Sequence, residues 1–261
     1  MVKKVVWYVL LFIVIQYVAV GLVFLGNLVL NGKGVTLEQI SSSTTQMLLV
    51  QGIFGVACVA LFLGFRWTPV SEHYWNTKPF SVIFWCIIAA VGTIAPSMWL
   101  QSALDFLPDF AGEELLDFIQ HRWGYLVICI LTPLAEEVIF RGAVLRTMLE
   151  HWEGRKRWTA IIISALLFGL AHMNPAQIPH AFLMGVLLGW LYERSRSLIP
   201  CVVLHCANNT IAYLMTAAYP APDITLRDVL GGSQRAEWMA IAFSLMILVP
   251  ALYQLSLRLK R

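Results

Sequence analysis

The sequence predicts an all-α, polytopic integral membrane protein with about eight transmembrane helices. Hydrophobic residues make up 59% of the 261 residues and charged residues only 13%, whereas a soluble domain is typically about 45–50% apolar and about 25% charged. The mean hydropathy is +0.73. Mostly apolar segments of roughly the 20 residues that a spanning helix needs lie near 5–30, 46–65, 80–100, 124–149, 158–173, 180–194, 198–218 and 238–257.

The first segment is predicted to be a retained membrane helix. Its basic start, with Lys3 and Lys4, is typical of a signal peptide. The apolar run that follows is longer than the usual signal-peptide core of about 7–15 residues, and no small-residue cleavage pattern follows it. We therefore count this segment as the first of three spans within residues 1–120.

Residues 101–121, with the sequence QSALDFLPDFAGEELLDFIQH, are too polar to span a membrane. Leu115 and Phe118 alternate with Glu113, Glu114 and Asp117, a pattern typical of a helix that lies on the membrane surface. A cap over a cavity is the alternative. The whole chain, 1–261, is then a single membrane domain: 124–218 forms the motif-bearing core, and 238–261 forms the last span and a basic tail.

The distribution of loop charge predicts that both termini are cytoplasmic, because basic residues are in excess in cytoplasmic loops. One side of the predicted topology has Arg66, Lys78, Arg155, Lys156, Arg157, Arg194, Arg196, Arg258, Lys260 and Arg261. The other side has only Lys33, Arg122, Arg227 and Arg235, together with the acidic stretch. The expected location is a bacterial plasma membrane. The net charge of +3 is small, and no nucleic-acid partner is predicted.

The stretch LTPLAEEVIFRGAVL, residues 131–145, resembles the inside of a membrane helix but contains Glu136, Glu137 and Arg141. Ionised groups at bilayer depth cost several kcal/mol each. Glu137 and Arg141 are four residues apart with the acid first, which is the favoured order for an ion pair on a helix. Glu136 points about 100° away and has no local partner, so it is a candidate functional carboxylate.

Two later segments carry polar groups that could meet Glu136. LLFGLAHM contains His172, and SLIPCVVLHCANNTIAYLM places His205 and Asn209 four residues apart on one face, with Asn208 to the side. A glutamate can take a proton from water, while imidazoles and a carboxamide can bind a metal or stabilise an oxyanion. Each of these groups alone is more often an interhelical hydrogen-bonding residue. Spacing alone supports an enzyme and a proton-relay transporter about equally.

Counting along the helices predicts different depths for the two imidazoles. At about 1.5 Å per residue, His205 lies about 10 Å from the predicted start of its helix at Leu198. His172 lies about 21 Å from the start of its own helix at Trp158. Helix tilt, or an irregular segment at Pro175 and Pro179, could bring the two rings together.

Three motifs resemble those of the CPBP family, which comprises CAAX prenyl proteases and bacteriocin-processing or immunity proteins. EEVIFRG resembles the family's EExxxR motif, FGLAH resembles FxxxH, and His205 to Asn209 resembles HxxxN. The resemblance covers about residues 131–215. It implies an eight-helix intramembrane endopeptidase.

The resemblance also implies roles for the matching residues. Glu136 would activate the attacking water, and Glu137 and Arg141 would fill the other polar positions of EExxxR. His172, His205 and Asn209 match the polar ends of the other two motifs, and would hold a metal or the oxyanion.

Zinc is an open alternative, and Glu136, His172 and His205 would be its ligands if a metal is bound. If Glu136 is the general base, the two histidines and Asn209 remain. A carboxamide is a weak zinc ligand, so we expect weak or no tightly held metal.

The sequence therefore predicts an endopeptidase that hydrolyses a peptide bond near the membrane. Its expected partners are a peptide or membrane-protein substrate and the lipid bilayer. One alternative is a non-proteolytic membrane scaffold or immunity protein of the same fold. The other is a proton-coupled transporter, although the sequence shows no inverted repeat of the kind that transporters often carry. The substrate and the oligomeric state are left open.

Overall fold

The structure is a computed structural model that describes residues 1–32, 36–69, 79–221 and 224–259. Lys33, Lys78, Lys260 and Arg261, which contribute to the predicted charge asymmetry, lie outside the described residues. The described part of the chain is helical and contains no β-strand. The all-α fold class of an integral membrane protein is therefore confirmed.

The N-terminal part of the chain combines long apolar helices with short elements between them. Phe118 and Ile119 are buried, and Glu113 and Glu114 lie in the first turn of the same short helix, which makes that helix amphipathic as predicted. The helices in this part are α1 (Val2–Asn31), α2 (Leu37–Ser41), α3 (Thr44–Gly64), α4 (Pro79–Ala103) and α5 (Gly112–Gln120).

Residues 126–149 form one continuous helix, α6, whose winding alternates. Wider π-helical turns at Leu126–Leu131 and Val138–Leu145 alternate with α-helical turns at Thr132–Glu137 and Arg146–Leu149. Pro133 lacks an N–H and its ring crowds the preceding turn, which is a physical reason for the wide turn just before it. π-Helical turns are rare and occur frequently at functional sites.

The C-terminal part of the chain contains the remaining described helices. His172 follows directly after one helix, and the turn after it leads to the next, which has a proline in its first turn. The helices are α7 (Lys156–Ala171), α8 (Ile178–Ser195), α9 (Leu198–Ala218), α10 (Leu226–Val229) and α11 (Gln234–Arg258).

Five of these helices are long and apolar enough to cross a membrane. The apolar segments are Val2–Leu30, Thr44–Gly64, Phe80–Ala103, Leu198–Ala218 and Gln234–Arg258. Three other predicted spans correspond to α6, α7 and α8, which do not meet both criteria. Helix α6 carries the buried charges, and the 16 residues of α7 reach only about 24 Å, less than the roughly 30 Å of a bilayer core.

Contacts between helix ends show which ends of the helices lie close together. Arg146, near the end of α6, donates a hydrogen bond to the carbonyl of Trp67, which follows α3. The guanidinium of Arg258, at the end of α11, lies 5.6 Å from the ring centre of Trp85, near the start of α4. These elements therefore meet at one end of the helix bundle, as an up-and-down topology requires.

Aromatic rings pack in a continuous line through the core and lead to the polar motifs. Phe12 of α1 contacts Phe54 of α3 and Phe140 of α6, with ring centres 5.1 and 5.4 Å apart. Phe140 in turn contacts Phe168 of α7 at 5.3 Å. All four rings are buried, and such edge-to-face pairs add to the stabilisation from apolar burial. The ring of Phe168 forms the inner end of this line.

Candidate active site

The predicted ion pair between Glu137 and Arg141 is present and completely buried. Arg141 Nη1 lies 2.8 Å from Glu137 Oε1, and the exposed fractions of the two side chains are 1% and 0%. The guanidinium also donates to the carbonyl of Gly185 at 3.2 Å and lies 4.3 Å above the ring of Phe168. These contacts offset the cost of removing two charges from water, which an isolated pair often fails to do.

Glu137 also contacts His205, and this contact determines which imidazole nitrogen carries the proton. His205 Nδ1 lies 2.9 Å from the same oxygen, Glu137 Oε1. A carboxylate that is paired with arginine is ionised and can only accept hydrogen bonds. His205 Nδ1 is therefore protonated, and in the neutral ring Nε2 carries the lone pair.

Glu136 approaches the opposite nitrogen of the same ring. Its Oε2 lies 3.7 Å from His205 Nε2, which is too long for a direct hydrogen bond. The side chain of Glu136 is 13% exposed, and that of Glu137 is fully buried. Two hydrogen-bond acceptors thus face each other across a gap that suits a bridging water.

The structure also brings His172 and His205 to the same aromatic ring. Their ring centres lie 4.9 and 5.8 Å from that of Phe168, both edge-to-face. Both imidazoles thus contact one side chain, although counting along the helices predicted different depths for them. The ring of His172 folds back by one turn, because its Nδ1 donates to the carbonyl of Phe168 at 2.9 Å, and its Nε2 is left unprotonated in the neutral form.

The turn after His172 is held by hydrogen bonds to the loop between α4 and α5. Asn174 is buried; its side-chain amide donates to Asp109 Oδ1 at 2.8 Å and its Oδ1 accepts from the backbone N–H of Phe110 at 3.2 Å. Met173 has a left-handed φ of 52°, a conformation that costs free energy in a residue other than glycine. The contacts with Asp109 and Phe110, called the Asp109–Asn174 clamp below, hold the chain in this turn.

The two asparagines of α9 have partners on different helices. Asn209 donates from Nδ2 to the carbonyl of Ile128, inside the first π-helical turn of α6, at 3.1 Å. Asn208, which was predicted to point to the side, is buried and accepts a hydrogen bond from the hydroxyl of Thr93 on α4. Asn209 has a second amide N–H, so its contact with α6 leaves one donor for another partner.

The imidazoles suit a metal only in part. In each neutral ring, Nδ1 donates a hydrogen bond to an oxygen and Nε2 carries the lone pair. This is the usual arrangement of metal-binding histidines. Within residues 1–32, 36–69, 79–221 and 224–259, however, no three His, Cys, Asp or Glu side chains are placed to hold one metal ion. Glu136, His172 and His205 do not form such a set here, and no step below depends on a metal.

Two residues near the site, Phe168 and His180, were missed by the sequence analysis. Phe168 matched a motif but was given no role, although its ring contacts Arg141 and both histidines. His180, in the first turn of α8, interacts electrostatically with His172 and His205. Its position shortly after Pro175 and Pro179, where an irregular segment was expected, is the one signal that could have drawn attention to it.

An apolar groove of about 650 Å³ runs between α3 and the start of α6. Gly52 and Ala57 line it on one side, and Trp123 and Leu131 line it on the other. Leu131, which lines the groove, lies five residues before Glu136 on α6. The groove therefore reaches to within one to two helical turns of Glu136 along α6.

This fold and this site define a class: a helical membrane protein with a carboxylate–imidazole centre beneath an apolar groove. Residues 118–211 match the family model described as type II CAAX prenyl endopeptidase Rce1-like. This segment contains all three motifs and both histidines that contact Phe168.

Three curated relatives are similar to the chain. An uncharacterized 24.3 kDa protein of Escherichia coli is 34% identical over 111 residues, which is 40% of this chain and 48% of the relative. The putative membrane peptidase YdiL of Bacillus subtilis is 26% identical over 186 residues, or 65% and 73% of the two chains. The membrane-embedded CAAX protease MroQ of Staphylococcus aureus is 28% identical over 96 residues, or 36% and 39%.

The matches support the predicted resemblance to the CPBP family. The chain spans about half the length of the first of these relatives. No solved structure matches it.

Proposed function

We propose that this protein is an intramembrane endopeptidase in which Glu136 activates a water molecule to hydrolyse a peptide bond near the membrane. One observation carries the proposal: Glu136 Oε2 and His205 Nε2 face each other 3.7 Å apart. A single water placed to one side of the line between these two acceptors can donate to both of them. The family match and the names of YdiL and MroQ support the same reaction class.

The contacts of each residue support a division of roles. Glu136 takes the proton from the water as it attacks the carbonyl carbon, and the partial exposure of its side chain gives water access to it. Glu136 passes this proton to the amide nitrogen as the C–N bond breaks. His205 accepts at Nε2 the second proton of the water, from the hydroxyl now bonded to the carbonyl carbon, and the resulting imidazolium is stabilised by Glu137 behind it, in the way that a carboxylate supports the histidine of a catalytic triad. The protonated Nε2 then gives this proton to the released amine, which leaves as an ammonium group beside the product carboxylate.

His172 and Asn209 are placed to assist this reaction. The hydrogen bond from His172 to Phe168 uses Nδ1 and leaves Nε2 without a partner in that contact. The hydrogen bond from Asn209 to Ile128 uses one amide N–H, so the second N–H is available. We assign the second N–H of Asn209 to binding the substrate carbonyl or the oxyanion, which a single well-placed donor can stabilise by about 3–4 kcal/mol. The same role for His172 requires the imidazolium form, in which Nε2 also carries a proton.

The proposal is tested by cleavage of an unbiased peptide library, including membrane-anchored peptides. The purified protein, reconstituted in vesicles, should cut a subset of peptides at defined bonds, which mass spectrometry of the products would identify. A scaffold or immunity protein would leave every peptide intact. A transporter would instead take up solute under a pH gradient and lose this uptake in the Glu136→Gln variant.

Whether the protein binds zinc is tested by a separate measurement. We propose that the protein holds zinc weakly or not at all, since the described residues contain no assembled set of three ligands and a carboxamide would complete the set poorly. The zinc content per chain after purification without added metal should be well below one. About one zinc per chain, with activity lost to a chelator and restored only by metal, would make Glu136, His172 and His205 ligands.

We further propose that α6, α7 and α8 complete eight spans, with both termini cytoplasmic in a bacterial plasma membrane. The alternation of helix ends supports the number of crossings. The excess of basic residues at the end that contains Arg146 and Arg258 supports the orientation. The proposed partners are a peptide or membrane-protein substrate and the surrounding lipid.

A further inference from the structure

Two buried hydroxyl groups from other parts of the chain contact the π-helical segment Val138–Leu145. Thr68, in the turn after α3, donates to the carbonyl of Val138 at 2.7 Å. Ser164, on α7, donates to the carbonyl of Phe140 at 3.1 Å. Both side chains are about 1% exposed, so water does not compete for these hydrogen bonds.

The two carbonyls lie next to the two members of the buried ion pair. Val138 directly follows Glu137, and Phe140 directly precedes Arg141. Ser164 therefore holds the peptide unit that joins Phe140 to Arg141, and Thr68 holds the peptide unit that begins one residue after Glu137. A π-helical turn is rare compared with an α-helical one, and at membrane depth its backbone groups need partners inside the protein. Donors from neighbouring elements favour this winding.

Gly142 makes the approach of Thr68 possible. A Cβ atom at position 142 would lie 2.1 Å from Thr68 Cγ2 and 2.7 Å from its hydroxyl oxygen. Any larger residue would push Thr68 away from α6. The glycine at the end of the EEVIFRG stretch is thus explained by the contact with Thr68.

We propose that Thr68 and Ser164 are positioning residues for this site. By holding the backbone between Glu137 and Arg141, they direct the Glu137 carboxylate toward His205 Nδ1. Since His205 is a rigid ring, its Nε2 is placed toward Glu136 by the same contact. The effect on cleavage rests on the proposed function, whereas the effect on the placement of His205 does not.

The test uses four variants of the full chain. Thr68→Val keeps the shape of the side chain and removes the hydroxyl, whereas Thr68→Ser keeps the hydroxyl. Ser164→Ala removes the second donor. Ser102→Ala is the matched control, since Ser102 donates its hydroxyl to the carbonyl of Met98 within α4, away from the π-helical segment.

Two readouts separate positioning from simple stability. The first is kcat and KM for a cleaved peptide, measured beside thermal unfolding. The second is the ¹⁵N signal of His205 Nδ1 in protein labelled at histidine and reconstituted in lipid, because that signal reports the hydrogen bond to Glu137 without requiring any cleavage.

Thr68→Val and Ser164→Ala should each lower kcat by about 10- to 100-fold, leave KM nearly unchanged and shift the His205 Nδ1 signal. Thr68→Ser should restore the kcat and the signal, and Ser102→Ala should change neither. If Thr68→Val does not fold, Ser164→Ala, which removes a single oxygen, decides the question.

Unchanged kcat and an unchanged His205 signal in Ser164→Ala and Thr68→Val would overturn the proposal. So would an equal loss of kcat in Ser102→Ala. If the wild-type protein cleaves no peptide, the proposed function fails, and the ¹⁵N signal alone decides whether the hydroxyls position His205.

Discussion

Glu137 links the structural and the chemical parts of the site. One of its oxygens, Oε1, accepts hydrogen bonds from both Arg141 and His205, while Oε2 is buried without a hydrogen-bond partner in the described residues. The i,i+4 spacing predicts the contact with Arg141. The contact with His205 could not be predicted, because it depends on how α9 is rotated against α6.

The first prediction concerns Glu137→Gln. Removing one partner of a buried ion pair typically costs about 3–5 kcal/mol, because the other charge is left buried without compensation. We expect a lower yield and a clearly lower midpoint of thermal unfolding in detergent. Glu150→Gln is the control, since Glu150 forms a partly exposed i,i+4 pair with Arg146 that contributes little.

A different result would reverse the roles of the two glutamates. If Glu137→Gln were as stable as the wild type but inactive, and Glu136→Gln remained active, Glu137 would be the catalytic carboxylate.

At the scale of elements, the apolar segments predicted the positions of the helices. The described helices overlap each predicted span, and the amphipathic pattern of residues 101–121 gave α5. The π-helical turns of α6 could not be predicted, because they depend on donors such as Thr68 and Asn209 that come from distant parts of the chain. The polar residues of α6 and the shortness of α7 also explain why only five helices are long and apolar enough to span by themselves.

The second prediction tests the groove between α3 and α6 as a route for the substrate. Gly52 lines the groove, and a Cβ added there would meet nothing within 4 Å. A Gly52→Phe substitution should fill the groove without strain, raise KM and leave the fold intact. Gly21→Phe is the matched control on α1, where an added Cβ also meets nothing; an equal change in both variants would argue against the route.

The third prediction concerns the Asp109–Asn174 clamp. An Asn174→Asp substitution replaces the donor with a second carboxylate facing Asp109 at a hydrogen-bonding distance of 2.8 Å, so the two loops should repel each other. Hydrogen exchange of residues 104–111 and 172–177 should become faster. The double variant Asn174→Asp with Asp109→Asn exchanges donor and acceptor and should restore the protection.

Asp109→Asn alone serves as the control for the clamp, because it keeps the Oδ1 that accepts from Asn174. If Asn174→Asp left the exchange of both loops unchanged, the clamp would not hold the turn after His172.

At the scale of the whole molecule, the orientation is the fourth prediction. Single cysteines near Arg155, in a background without other cysteines, should resist an impermeant thiol reagent added from outside the cell. Cysteines near Glu113 should react, because the acidic stretch is proposed to lie outside. The opposite labelling pattern would reverse the orientation without changing the fold.

Catalysis by Glu136 is tested most directly by the single-turnover rate of peptide cleavage in the Glu136→Gln variant. The amide keeps the size of the side chain but cannot take a proton from water, so we predict a loss of about 10²–10⁴-fold with unchanged thermal unfolding. A folded Glu136→Gln variant that cleaves the same peptide at the wild-type rate would contradict the proposed mechanism.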